Sequence, residues 1–295
     1  MSTSTDVLKL PIAKDGSFQR PASTFRDTIE KGGRFEPERD RYHLYVALTC
    51  PWATRTLITR KLKGLEDIIP VTIASPRMTP SGWPFANLDN FPGVEVDPLY
   101  NSETVSDLYR RAEPNYSGRF TVPVLWDKKH QTIVNNESSE IIRIFNTSFN
   151  ELLSPEYAKV DLYPQELRKE IDEINEWVYT DINNGVYRSG FATTQEAYET
   201  AVKTLFAALD RVEERLWVTA VRFDPAYHGA FKCNLKDIRH GYPAINKWMK
   251  NLYWNRDAFK SSTNFAHIKG GYYSIAAVNP NKIVPVGPIP DIEPL

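Results

Sequence analysis

Cysteine is scarce in this chain: only Cys50 and Cys233 occur in 295 residues. Two thiols cannot build a disulfide framework, and such low usage suits a reducing compartment, so a cytoplasmic protein is expected. An excess of charge is also missing. Lys and Arg number 36 against 37 Asp and Glu, which gives neither nucleic acid nor a membrane surface an electrostatic reason to bind. No apolar run approaches the ~18 residues that a membrane-spanning helix needs. Residues 1–16 show no basic segment followed by an apolar one, so no secretory signal is expected. Repeats and low-complexity segments are absent. Aromatic residues are plentiful: 7 Trp and 15 Tyr can fill a core and can also line a site for flat ligands. The length suits one large or two ordinary domains.

Periodicity orders the elements. Residues 1–38 are polar, interrupted by Gly16, Gly32, Gly33 and Pro37, and read as an extended arm. Strands are predicted over 42–48, 68–73, 122–126 and 132–134, the last two joined antiparallel by Asp127-Lys128-Lys129-His130. Helices are predicted over 52–63, closed by Gly64, and over 137–145, with a short one near 106–111. This mixed order is that of a thioredoxin-like α/β domain, here 39–155. Beyond Pro155 the period turns helical. Leu167, Ile171, Ile174 and Val178 mark a helix over 164–179, which Asn183-Asn184-Gly185 should break, turning Tyr187 out of the stripe. Thr193 and Glu196 predict a capping box, followed by the stripe Tyr198, Val202, Leu205, Leu209, Val212 and Leu216. A third helix over 242–252 completes an all-helical domain, 156–262. The Pro-rich remainder, 263–295, reads as an extended tail.

Cys50 stands where the first strand meets the first helix, with Pro51 at a helical position that needs no N–H. A thiol there meets free backbone N–H groups and the positive end of the helix dipole, and both favour the thiolate. Ala53 fills the place where a second cysteine would complete a Cys-x-x-Cys pair. A disulfide at Cys50 therefore needs an outside partner, and a small thiol fits. The competing reading is a structural cysteine at a strand end, and Cys233, with no helix start beside it, is read that way. Val122-Pro123 suits backbone pairing with an extended peptide, or is only a proline at a sheet edge. Glu137-Ser138 opens a helix. The hydroxyl and first N–H groups suit a carboxylate and the Glu suits an ammonium, although a plain helix cap uses the same residues.

Longer segments carry a family likeness. Cys50-Pro51-Trp52-Ala53, Gly82-Trp83-Pro84-Phe85, the run from Asn115 to Asp127, and Asn135-Asn136-Glu137-Ser138 resemble the glutathionyl-hydroquinone reductases, the Xi class of glutathione transferases. Asn183-Asn184-Gly185-Val186-Tyr187, Phe231-Lys232-Cys233-Asn234-Leu235 and the tail from Ile283 to Pro288 extend the likeness over nearly the whole chain from about Ser17. The resemblance implies a thioredoxin-like domain followed by a helical one, a homodimer, glutathione as co-substrate, no metal, and removal of glutathione from glutathionyl-hydroquinones. It implies Cys50 as nucleophile and a cis bond before Pro123. It implies glutathione held by Trp83, Arg119, Val122, Pro123, Glu137 and Ser138. Tyrosines would surround the hydroquinone: Tyr187, also the candidate acid, with Tyr242 and Tyr272, and Tyr253 and Tyr273 behind them.

The chain departs from that pattern at one place. Family members carry a further stretch between Glu214-Arg215-Leu216 and Val221-Arg222-Phe223, where this chain runs straight on, so its helical pattern continues unbroken from Thr193 to Phe223. Two other functions share the motifs. An omega-like thiol transferase or dehydroascorbate reductase has the Cys-Pro, Val-Pro and Glu-Ser elements but lacks the 115–120 segment, Gly-Trp-Pro-Phe and the Pro-rich tail. A non-catalytic ligand-binding protein on the same fold would not need Cys50. The helix-start position of Cys50 predicts alkylation with a pH midpoint below the ~8.5 of a free cysteine. Rates of iodoacetamide modification against pH, with Cys50→Ser as blank, measure it; a midpoint at or above the free value contradicts the assignment.

Overall fold

In the computed structural model, which describes residues 10–212 and 217–295, the run Tyr42–Ala47 forms a strand (β1) buried at every residue. Both its faces are covered, so its sequence shows no alternation. Its neighbours are β2 (Val71–Ala74), parallel, and β3 (Val124–Asp127), antiparallel, with β4 (Thr132–Asn135) outside β3. Two strands start later than the sequence pattern implies. Ile68 and Ile69 are buried in a turn, and Pro70, lacking an N–H, contributes only its carbonyl, which accepts from Leu44 N at 2.9 Å. β3 begins only after the Val122–Pro123 bond, which is cis.

Helix α1 (Pro51–Leu62) packs on α3 (Ser138–Thr147), and α2 (Val105–Ala112) packs against β4. The chain leaves α1 through Gly64 at φ +61°, where a Cβ would lie 2.5 Å from the Tyr157 ring, so only glycine fits. The outer edge of β4 is covered by the arm: Asp27 N donates to Val134 O (3.1 Å) and Asn136 N to Phe25 O (3.0 Å).

These elements form one compact unit, residues 23–165 with 261–267; the second holds the described chain up to Ala22, residues 166–260 and 268–295. In the second, α4 (Arg168–Trp177) widens into a π-helical segment, Val178–Asn183, and resumes as α5 (Gly185–Gly190). The break expected at Asn183-Asn184-Gly185 therefore does not occur. Asn184 N instead reaches back five residues to Tyr179 O at 2.9 Å, and Tyr187 sits on a helix. The stripe assigned to this helix enters the core only at its end: Val178 is buried, Ile171 and Ile174 are half-buried, and Leu167 is 45% exposed.

α6 (Gln195–Val212) is capped by Thr194, whose hydroxyl accepts from Ala197 N (3.3 Å), one residue later than expected, because the Thr193 N–H is taken by Gly16 O (3.0 Å). α7 (Trp217–Arg222) follows and passes into a second π-helical segment, Phe223–Tyr227; the junction at Leu216 lies outside the described residues. α8 (Pro243–Asn255) matches the third expected helix. The tail is not wholly extended: it contains α9 (Phe265–Tyr272), whose buried Ile268 and Tyr272 are spaced four apart, a pattern masked in sequence by Gly270 and Gly271.

At the end of β3 the buried Asp127 pairs with buried Arg41 through two hydrogen bonds of 2.8 and 3.2 Å, side chains 0% and 4% exposed. Burial alone would raise the Asp127 carboxyl. The hydrogen bonds from Arg41, the Lys129 and His130 backbone and the His130 ring outweigh it and hold the group below its ordinary value. Asp127 thus contributes stability that is complete above pH ~4 and is lost as pH falls through the depressed folded value. Asp127→Asn should cost about 2–4 kcal/mol by urea unfolding at neutral pH, because it leaves the buried Arg41 guanidinium with only the Glu38 carboxylate (2.6 Å) as counter-charge. Asp40→Asn at the exposed Lys128–Asp40 pair should cost no more than about 1 kcal/mol.

Candidate active site

Cys50 caps α1 from an extended backbone (φ −79°, ψ 117°), half-buried, with Pro51 at the first helical position. Its N–H donates to Ala47 O (2.9 Å), and its carbonyl accepts from the Thr54 N–H and hydroxyl, both at 3.0 Å. The backbone around the sulfur is thereby tied to both β1 and α1. The thiol donates to the Val122 carbonyl at 3.5 Å, so folding brings together two candidates 72 residues apart in sequence.

Glu137 and Ser138 stand at the start of α3. Oε1 of Glu137 accepts from the Ser139 N–H (3.1 Å) and hydroxyl (2.9 Å), and Oε2 from the Ser23 hydroxyl (2.9 Å). Burial pushes this carboxyl up, but those hydrogen bonds and the Arg55 charge outweigh it, so Glu137 lies below its ordinary value and is ionised at neutral pH. A carboxylate has about four acceptor positions, so capacity remains for one more donor. Arg55 donates to Ser138 Oγ through Nε (3.0 Å) and Nη2 (2.8 Å), so the serine hydrogen is left to donate elsewhere. The same guanidinium lies 3.7 Å from Glu137 and 4.9 Å over the Trp52 ring. The sequence reading missed Arg55; the only signal was its position three residues after Trp52 on the helix that Cys50 starts.

Trp83 is half-buried in a loop fastened to α2, where its carbonyl accepts from Val105 N (2.8 Å), and its buried indole N–H makes no hydrogen bond to a described residue. Arg119 is half-buried in the segment before β3, where its carbonyl accepts from the Tyr116 hydroxyl (3.1 Å).

The helical unit gathers phenols. Tyr272 on α9 hydrogen-bonds to Tyr187 on α5 at 2.9 Å and to Tyr227 at 2.8 Å, making a chain of three hydroxyls. Phe231 is the packing centre, 5.5 Å from each of the three rings. Burial pushes Tyr227 and Tyr272 well above an ordinary tyrosine, so both hold their protons. Tyr187 is the half-buried end of the chain. Tyr242 is not part of the trio: its ring stacks on Phe206 (6.5 Å) beneath the Lys236 ammonium (5.0 Å). Tyr227 was not foreseen. It closes the second π-helical segment, whose five-residue bonding period hides it from a 3.6-residue pattern. Cys233 is fully buried, which pushes its thiol up to about 12 and suits packing rather than chemistry.

Comparison with known proteins gives a consistent result. The family model for the glutathione S-transferase N-terminal domain matches residues 49–148. Glutathione S-transferase omega-like 2 of Schizosaccharomyces pombe is 52% identical over 304 aligned positions, covering 95% of this chain and 96% of that protein. That alignment is longer than the 295-residue chain, so the relative carries residues without a counterpart here. The glutathionyl-hydroquinone reductase YqjG of Escherichia coli is 46% identical, covering 94% of this chain and 91% of that protein. Its glutathione-bound structure aligns with a TM-score of 0.86 at 45% identity, covering 92% of this chain and 95% of that one. The Xi glutathione S-transferase of Phanerochaete chrysosporium aligns with a TM-score of 0.96 at 58% identity over 98% of each chain. With a thioredoxin-like sheet, a helix-capping cysteine and identity of this order over almost its whole length, the chain belongs to the glutathione transferases, in the Xi class of glutathionyl-hydroquinone reductases.

Proposed function

We propose that this protein removes glutathione from glutathionyl-hydroquinones, with a second glutathione as reductant. The observation that carries the reading is the thiol of Cys50 at the start of α1, within 3.5 Å of the Val122 carbonyl beside Pro123. A backbone of that kind pairs with an extended peptide and brings the peptide's sulfur to the thiol. The spare acceptor on Glu137 takes the γ-glutamyl ammonium, and the Ser138 hydroxyl donates to the adjacent carboxylate. Arg119 takes the glycyl carboxylate, and the half-buried Trp83 ring packs on the bound tripeptide. The glutathione-bound relative supports this use of the sheet unit.

The chemistry then runs in two steps. The Cys50 thiolate attacks the conjugate sulfur, the bond from sulfur to ring carbon breaks, and its electron pair stays with that carbon, which takes a proton. The products are a hydroquinone and a Cys50–glutathione disulfide. A second glutathione thiolate attacks the disulfide, releasing oxidised glutathione and the Cys50 thiolate. Protonation of carbon is the demanding event, and Tyr187 is the acid, backed by Tyr272 and Tyr227. The three linked phenols favour this reading over an omega-like thiol transferase, which exchanges sulfur on sulfur and needs no carbon acid. Tyr242 takes no part in that step, and we keep it only as a wall residue. For the homodimer, the exposed Leu167 just before α4 with the half-buried Ile171 and Ile174 on it is the face assigned to a second copy.

Cys50→Ser should abolish release of hydroquinone from glutathionyl-menadiol, read by mass spectrometry, while calorimetric binding of glutathione persists; full turnover in this variant refutes the mechanism. Tyr187→Phe should slow turnover of the conjugate roughly ten- to a thousandfold, while transfer to a small mixed disulfide changes by no more than about threefold. Equal losses on both substrates would make Tyr187 a packing residue.

A further inference from the structure

The arm contributes one side chain to the phenols that no family motif pointed to. Phe18 and Arg20 are two residues apart in an extended stretch and so point the same way. Phe18 is buried on Phe191 (ring centroids 5.3 Å apart), and the Arg20 guanidinium lies over the Tyr187 ring, 4.7 Å from its centroid. Arg20 Nε also donates to Asn184 Oδ1 at 2.6 Å. Asn184 precedes Tyr187 by three residues, on the same helical face, so Arg20 brackets one turn. The stretch is fastened on the other side: Gln19 N donates to Pro11 O (2.8 Å), Ile12 bridges Phe18, and Gly16 O accepts from Thr193 N (3.0 Å).

We propose that Arg20 is a positioning residue for Tyr187, holding its ring and stabilising the phenolate left when Tyr187 gives its proton to the departing hydroquinone carbon. The proposal rests on the reading of Tyr187 as the acid. A cation over an aromatic face is attracted by the ring quadrupole, and more strongly once the ring carries a negative charge, so it favours the ionised form. Other charged and titratable groups lie nearby. The buried Arg222 acts on Tyr227 and Tyr272, and Arg188, next to Tyr187 on α5, acts on Asp15. Tyr272 and Tyr227 face Tyr187 as protonated phenols. Of the three linked phenols, Tyr187 is the half-buried one and has the Arg20 guanidinium over its ring, so it is the one that gives up its proton, and water or the incoming thiol returns one.

The test is a near-ultraviolet titration of tyrosine ionisation without substrate, in which the difference between wild type and Tyr187→Phe isolates one band among 15 tyrosines. Arg20→Met should move that band to higher pH by roughly half to one and a half units. It should lower kcat for a glutathionyl-hydroquinone roughly three- to thirtyfold, with KM nearly constant and the alkaline limb of the pH profile following the band. Arg20→Lys, which keeps the charge, should restore at least half of the shift. An unmoved band in Arg20→Met overturns the proposal, as does a shift that Arg20→Lys fails to reduce, since packing rather than charge would then be responsible. A wild-type conjugate rate in Tyr187→Phe overturns instead the reading of Tyr187. The two failures are distinguishable because the titration contains no substrate.

Discussion

Everything at the sulfur site depends on the turn from β1 into α1. β1 is buried and paired on both sides, so its end cannot drift, and the first turn of α1 is pinned by Thr54 bonding back to the Cys50 carbonyl. Between them Cys50 has its N–H, its carbonyl and its φ and ψ determined by neighbours. The thiol keeps only side-chain freedom. A side chain placed by two rigid elements is more sharply oriented than one on a loop.

The two units treat protons in opposite ways. Around α3 the protein spends hydrogen bonds on an anion: Glu137 accepts from Ser139 and Ser23 and has Arg55 beside it, so the carboxylate stays charged despite burial. Around Phe231 burial keeps Tyr227 and Tyr272 neutral, and their hydroxyls satisfy one another rather than water. Such divergent environments are how one chain keeps a carboxylate charged and phenols neutral at the same pH. The same dry packing holds Cys233, in a motif shared with the family: it is fully buried, and its N–H donates to the Tyr227 carbonyl at 3.1 Å.

The order of elements along the chain, the β3–β4 hairpin, α1, α3 and the Cys50, Val122 and Glu137-Ser138 positions were legible because they rest on local rules: β-rich runs, a turn, a proline at a helix start, a cap. The failures have equally definite causes. Pro70 removed a ladder donor and shortened β2. The two π-helical segments changed the helical period, so the expected break at Asn184 is a continuation and Tyr227 escaped notice. Two adjacent glycines concealed α9. The stripe Leu167, Ile171 and Ile174 is amphipathic in sequence yet unburied, since periodicity reports an apolar face and not what covers it.

The sequence by itself determined the class of fold, the presence of a helix-start thiol without a resolving cysteine, and the family likeness, because each is written in contiguous residues. Tertiary structure alone decided which side chains meet. Arg55 reaches Ser138 across 83 residues, Tyr187 reaches Tyr272 across 85, and Arg20 reaches Asn184 across 164. Contacts at such separations depend on how whole elements pack, on helix period and on which faces are buried. These are non-local properties, and no spacing rule along the chain encodes them.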